Sequence, residues 1–426
     1  MILELKIRNF LSFKDETTFS FEATADSTLE DYYVSEVAPG VRILKMAMVY
    51  GANASGKSNL LSAFDFIKRI IKSRPKDKDE ETGFLPFLLD EKTDVPGSFE
   101  LTFYIGDKKY KYFLELDSKK IYKEKLIYYP GTRPAIIFDR YLNIENQTSI
   151  IEYGSKLKIS DQAKEEISLK TLKNSSVFAA YKQVNIDLPE LEKANRWFSE
   201  QFMSVISPDV SLKKYSDSQI KSNETLKSKV LSFIKEADFN ISYISFEDNI
   251  QEIDDETVKM IENLPLPNEK KSKIINEKAI HLEKTVFEHK IVKDGVVKGF
   301  NLNEDLQSMG TMRFYGLSAP LFNCLETDAF LAIDEISTSL HPLLVTFFIK
   351  EFLDNSKQAQ LIFTSHNLSL LMEKDLLRKD AIWFTEKGAD GGTSLFSLTE
   401  FNIRKELSFY NAYKQGKFGA IPRLED

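Results

Sequence analysis

The spacing of apolar and polar positions predicts most of the elements of this chain. Residues 43–50, ILKMAMVY, are almost wholly apolar, as a central strand covered on both faces should be. Two later runs, AFLAIDE at 329–335 and AQLIFTSH at 359–366, are of the same kind but end in polar residues. Ile2, Leu3, Leu5, Ile7 and Phe10 read as a strand buried on at least one face, with Phe19 and Phe21 in a second strand of that sheet. From Ser58 to about Lys72, Leu60, Leu61, Phe64, Ile67, Ile70 and Ile71 fall on one face of a helix. Between 98 and 130 the segments SFELTFYIG, KKYKYFLELD and IYKEKLIYY alternate, which predicts an antiparallel meander. Residues 73–97 carry Pro75, Pro86, Pro96 and two charge runs and read as irregular. From about 160 to 285 the pattern turns helical and charged, with breaks at Pro189, Pro208, Pro265 and Pro267. VFEHKIVKDGVVKGFNL reads as a hairpin turning at Asp294–Gly295, a helix is expected near Ser308, and AIWFTEKGADGGTSLFSL reads as a last hairpin. The expected fold class is α/β with an antiparallel β lobe. The expected division is an N-terminal lobe at 1–160, a helical insertion at 161–285 that serves as a partner-binding lid, and a C-terminal lobe at 286–426.

Composition narrows the classes. With 42% hydrophobic residues, 32 of them Phe, the chain of 426 residues has ample bulk for a core, and wholesale disorder is excluded. Lys and Arg number 57 against 65 Asp and Glu, a net charge of −8. That argues against a surface that grips nucleic acid everywhere, yet leaves room for a local basic patch. Lys68, Arg69, Lys72, Arg74, Lys76 and Lys78 form one such cluster, although cations at a helix C-terminus also complement its dipole. The single cysteine, Cys324, excludes a disulfide framework and a four-cysteine zinc site. No apolar run reaches the length that spans a bilayer, and the charged N-terminus is unlike a signal peptide. A cytoplasmic protein without a membrane partner is expected.

The chemistry concentrates where buried strands end. Gly51-Ala52-Asn53-Ala54-Ser55-Gly56-Lys57-Ser58 fits G-x-x-x-x-G-K-S/T between a buried strand and an amphipathic helix. A triphosphate needs many donors and one cation held close. Glycines let backbone N–H groups curl around the β-phosphate at a helix N-terminus, Lys57 bridges β and γ oxygens, and Ser58 offers a hydroxyl to Mg²⁺. Gly51, Asn53, Ser55, Gly56, Lys57, Ser58 and the adjoining Asn59 are therefore the expected nucleotide contacts, with ATP and Mg²⁺ as cofactors. In the run Phe330–Glu335, Asp334 would hold Mg²⁺ through water and Glu335 would polarise the attacking water. His366, at the end of the third buried run, can donate to a γ-phosphate oxygen. Ser308 and Gly310, at the start of a helix, could bind a phosphate with side chain and backbone, although a serine there is also a common N-cap.

These four pieces, in this order, resemble the ABC-type ATPase core shared by SMC and RecF-like proteins. By that resemblance the glycine-rich run is Walker A and Asp334 with Glu335 is Walker B. LQSMGTMR is the signature, with Ser308 and Gly310 at the positions that matter and Met309 where a glycine is usual. Ser337-Thr338-Ser339-Leu340-His341-Pro342 is the D-loop, His366 the switch histidine, and Gln183 a candidate for the Q-loop glutamine. YGANASGKSNLL, IDEISTSLHPLL, LIFTSHNLSLL and YKQGKFGAIPRL together resemble the compact prokaryotic AAA ATPase subfamily of abortive-infection and restriction-linked proteins, the AbiL/RloA type. The resemblance spans about 1–160 and 285–426. It implies a composite site in which Walker A of one copy faces the signature of another, so that a homodimer hydrolyses ATP, slowly, and reopens afterwards.

Three functions remain open at this level. One is an anti-phage switch that controls a separately encoded effector, a nuclease or toxin. The second is a RecF-like ATPase that clamps DNA, and the third a nucleotide-dependent scaffold with little turnover. The stretch after His366 leaves no room for an appended metal nuclease domain, and Asp77-Lys78-Asp79 reads as a solvated loop.

Overall fold

The computed structural model describes residues 1–90, 94–237, 239–265, 267–402 and 408–422. They form two compact units, one made of Met1–Val210 with Asn323–Asp426 and the other of Ser211–Phe322.

In the first unit the apolar runs lie side by side. The strand order is Phe330–Ile333, Gln360–Thr364, Met46–Gly51, Ile382–Lys387, Thr393–Ser397. The first four are parallel and the last is antiparallel. Met46–Gly51 is buried at every position, as a middle strand covered on both faces must be. The helix Lys57–Lys72 turns Leu60, Leu61, Phe64 and Ile67 into the core. Residues 43–50 are not one strand, however. Val41–Leu44 pairs with Val34–Ala38 in a separate hairpin, and the parallel strand begins at Met46. Lys45 is the break. Its N–H donates to the Tyr33 carbonyl at 2.7 Å while its own carbonyl accepts from Leu361 at 2.8 Å, so its two sides serve different neighbours.

The same unit holds a seven-stranded sheet in the order Thr148–Tyr153, Ala135–Asn143, Ile121–Tyr129, Lys108–Leu116, Gly97–Ile105, Ile2–Arg8, Thr17–Ser20. All its pairings are antiparallel, and the expected meander forms its middle. The helices Asp161–Lys170, Val177–Tyr181 and Pro189–Arg196 also lie in this unit, so residues 161–210 of the expected insertion fold with the first lobe. Phe202 and Ile206 then bridge Phe330 and Ile333, extending the parallel sheet at its edge.

The second unit is a sheet of Ile241–Glu252, Ala279–Lys293 and Val296–Asn303, all antiparallel. Phe233 stacks on Phe314 at 4.6 Å, and Phe287 meets Tyr315 edge-on at 5.3 Å. The hairpin turns where expected, with positive φ at Asp294 (54°) and Gly295 (76°). Ile241–Glu252 is a strand inside the stretch expected to be helical. Its outer half is exposed on both faces, so no apolar alternation marks it. No helix among the described residues is long and apolar enough to cross a membrane.

Candidate nucleotide site

The site is built at the C-terminal ends of the parallel strands in the first unit. Gly51 closes its strand, residues 52–56 turn, and Lys57 opens the helix. Gly56 sits at φ 109°, a conformation that residues with a Cβ rarely adopt. A Cβ added there would lie 2.3 Å from Thr393 Oγ1, and one on Gly51 would lie 2.4 Å from Thr385 Oγ1. The loop is thus pressed against two threonines. Lys57, 5% exposed, donates its ammonium to the carbonyls of Gly51 at 3.0 Å and Ala52 at 3.1 Å. Asn53 and Ser58 are exposed and Ser55 is buried, its hydroxyl 2.6 Å from Thr385 Oγ1.

The acids and the histidine meet the lysine. Glu335 Oε1 is 3.7 Å from Lys57 Nζ, and its Oε2 is 2.6 Å from His366 Nδ1. Glu335 itself has φ 48°, in the left-handed region, which costs a residue with a Cβ about 1 kcal/mol or more. Thr364 holds the pair in place. It accepts the Glu335 N–H at 2.7 Å and donates to Asp334 Oδ1 at 2.5 Å. Asp334 is 9% exposed, so this donor offsets part of the cost of burying its charge. Ser337 and Ser365 hydroxyls lie 3.2 Å apart and join the segment expected to be the D-loop to the histidine's strand end.

Several of these residues carry no sequence motif. Thr364 orients both acids. Ser12 joins the loop after the N-terminal strand to the P-loop, accepting from Asn59 Nδ2 at 2.7 Å and from Thr393 Oγ1 at 2.7 Å. Thr393 sits 2.9 Å from the Ser55 carbonyl in turn. Asn59, expected at the nucleotide, spends its amide on this brace. The only available signal was a hydroxyl residue at or beside each strand end. Gln183, in the turn after the helix Val177–Tyr181, donates back to the Ala179 carbonyl at 3.1 Å and does not line the cleft described next.

A cleft of about 810 Å³ opens beside the loop, with Gly51, Asn53, Ser55 and His366 on one side and Tyr413, Lys414 and Ile421 on the other. Tyr413 stacks on Phe384 at 5.3 Å and donates its hydroxyl to the Ala420 carbonyl at 2.7 Å. The tail segment YKQGKFGAIP therefore walls the cleft, while Arg423 and Leu424 lie outside the described residues. Ser308 and Gly310 belong to the other unit. The Ser308 hydroxyl accepts the Thr311 N–H at 3.0 Å, so it does cap the helix Met309–Thr327.

Residues 46–373 match the family described as "AAA domain, putative AbiEii toxin, Type IV TA system". The chain belongs to that family. The AAA match runs from the P-loop strand to just past His366 and takes in the second unit, so the glycine-rich loop, both acids and the histidine all fall inside the matched AAA domain. Among solved structures it is similar to the SMC head domain from Thermotoga maritima, at 14% identity over 93% of this chain and 98% of that one, TM-score 0.41. It is also similar to the Smc head domain with an extended coiled coil bound to the C-terminal domain of ScpA from Pyrococcus furiosus, at 12% identity over 98% of each chain, TM-score 0.36. No curated protein matches it.

Nucleotide and Mg²⁺ fit the residues present. The glycine cradle leaves backbone N–H groups at a helix start, and Lys57 puts an ammonium within the loop. Among the described residues no group of three or more His, Cys, Asp or Glu is placed to hold a metal by itself. Ser58 with Asp334 would supply a hydroxyl and one carboxylate, the sparse donor set Mg²⁺ takes when phosphates complete its shell.

Proposed function

We propose that this chain is an ATP-binding and hydrolysing dimeric switch in an anti-phage or abortive-infection type system, controlling a separate effector that is a nuclease or a toxin. One observation carries the reading: Lys57, Glu335 and His366 form a continuous chain of contacts at 3.7 Å and 2.6 Å beside a phosphate-binding loop. In this reading Gly51–Ser58 bind the phosphate tail, and Lys57 turns from the carbonyls of Gly51 and Ala52 toward phosphate oxygens. Bound Mg²⁺, held by Ser58 and Asp334, supplies neutralisation of developing charge. Glu335 takes the proton of the attacking water, with its carboxylate aimed by His366 at one oxygen and Thr364 at its backbone. Ser308 supports completion of the site by a second copy. It is exposed between Leu306, 68% exposed, and Met309, 78% exposed, so the helix start it caps is open to another molecule. Closure on ATP and reopening after hydrolysis give two states that an effector can distinguish. The family's printed description as a toxin–antitoxin component supports placing the switch in such a system.

Lys57→Ala is the test. It removes the one cation inside the loop, and ATP binding measured by calorimetry should fall at least about 100-fold, the order of one buried charge-assisted contact to a phosphate. ATP binding at wild-type affinity by a folded Lys57→Ala protein contradicts the reading.

A further inference from the structure

Two exposed apolar surfaces of opposite charge lie on this chain, one in each unit. In the second unit, Ile241–Glu252 pairs with Ala279–Lys293 only as far as His289, so residues 290–299 form a two-stranded ribbon with no third strand beside it. The register sets His289, Ile291 and Lys293 opposite Phe300, Lys298 and Val296, all on one face. Ile291, Val296 and Phe300 are exposed there, as are both lysines, and among the described residues neither lysine makes an ion pair. A two-stranded ribbon is marginally stable in water by itself. Lysines on it can keep stray strands from pairing, but they do not account for three large apolar side chains exposed on the same face. That face continues to the helix start that Ser308 caps. His289 Nε2 lies 3.2 Å from Gln307 Oε1, and Gln307 stands between the exposed Leu306 and Ser308.

In the first unit, Leu85, Leu88, Leu89 and Val95 are exposed on the flank of the phosphate loop. The Leu85 carbonyl accepts the Leu11 N–H at 2.9 Å, next to Ser12, which braces Asn59 and Thr393. A Cβ on Gly391 would lie 2.4 Å from Leu89 Cδ1, so Leu89 packs on the turn that leads into Thr393. This surface is acidic. Asp90 pairs with Lys14 at 3.1 Å and is the first cause of that lysine's raised pKa, with Asp390 and Asp15 adding to it against desolvation. Asp94 is exposed beside Val95.

We propose that the basic ribbon of one copy docks on the acidic leucine surface of a second copy, alongside the shared nucleotide. Two features choose a second copy over another protein. The surfaces are complementary, apolar side chains set among lysines on one and among carboxylates on the other, and such pairing steers association and fixes register. Each also flanks one half of the site that two copies complete in the switch reading, the ribbon beside Ser308 and the leucines beside the phosphate loop. Lys293 is four residues beyond His289, about 13 Å along a strand at 3.3 Å per residue, a reach that extends beyond the phosphates themselves. A two-fold pair makes the contact twice. The inference rests on the switch reading and adds to it a contact made by protein alone.

The test reverses one surface at a time in the full chain, with Glu335→Gln alone as the parent. Ribbon-reversed chains carry Lys293→Glu with Lys298→Glu, and loop-reversed chains carry Asp90→Lys with Asp94→Lys. Each kind alone sets like charges against each other in both contacts of a pair. Its dimerisation, read by sedimentation with ATP and Mg²⁺, should weaken more than about tenfold. Mixed in equal amounts, the two kinds should form a heterodimer of near parental affinity, because every ribbon then meets a loop of opposite charge. ATP binding by each variant alone shows that it is folded. Reversed variants that dimerise as tightly as the parent would assign the ribbon to another partner and overturn the proposal, with the switch left standing. So would a mixture that stays monomeric while the parent dimerises. A parent that stays monomeric with ATP overturns the switch and this contact together.

Discussion

Gly56 shows how narrowly the phosphate loop is specified. Its φ of 109° and the 2.3 Å approach of Thr393 to a would-be Cβ act together. Gly56→Ala should therefore lower stability by about 1–3 kcal/mol and weaken ATP binding more than about tenfold. Thermal unfolding and titration with ATP would check both, and an unaffected variant would mean the loop relaxes freely. Lys68 makes a prediction with a pH signature. Its pKa lies near 8 in the folded chain against 10.5 when unperturbed, through burial first and Lys72 second, with Asp65 opposing. The folded state thus disfavours the charge, so below about pH 8 Lys68 lowers stability, and the loss is relieved as pH rises from about 8 toward 10.5. Lys68→Met should raise stability at pH 7 by about 1–2 kcal/mol, less than the full shift because the ammonium keeps some water. The gain over wild type should shrink by pH 10 in denaturant melts. At this scale the sequence was legible wherever residue type alone carries chemistry. Lys57, Glu335 and His366 come together because each ends or follows a strand of one sheet. Thr364 was not legible, since one hydroxyl beside Ser365 looks like any other until the strand register sets it against Asp334 and Glu335.

At the scale of elements, the continuous apolar runs gave true strands, because a middle parallel strand must be apolar on both faces. The exception is instructive. Residues 43–50 look like one strand, yet Lys45 divides them between a hairpin and the parallel sheet, a division made by two backbone hydrogen bonds to distant residues. The alternating meander was equally readable, whereas Ile241–Glu252 hid because half of it has no buried face. The antiparallel sheet also contains a buried acid that the pattern does not announce. Glu124, fully buried and with its pKa raised by that burial, accepts from Ser176 Oγ at 2.6 Å, the Val177 N–H at 2.8 Å and Tyr112 at 3.0 Å. It fastens the helix Val177–Tyr181 to the sheet, opposite Arg140 in the strand register. Glu124→Ala leaves Arg140 buried without its counter-charge and should destabilise the chain by about 3–5 kcal/mol. Glu124→Gln, which keeps one acceptor oxygen for the Val177 N–H and can donate its amide to Ser176 Oγ, should lose less, and equal losses in urea unfolding would show that the charge alone matters.

At the scale of the whole molecule, the phosphate loop, both acids and the histidine lie in one unit, and Ser308 with Gly310 lies in the other. The proposed switch brings them together between two copies. Cys324 is fully buried and its thiol is pushed well above its ordinary pKa by burial, so introduced cysteines can report on contacts without competition. The direct measurement mixes two single-cysteine variants, Asn53→Cys and Ser308→Cys, each also carrying Glu335→Gln, so that any disulfide between the two positions must join separate chains. With ATP and Mg²⁺ under mild oxidation, the account predicts a linked species of twice 49.0 kDa containing both variants, and none without nucleotide. If no 53–308 link forms with ATP, while both variants bind it, the composite site is contradicted.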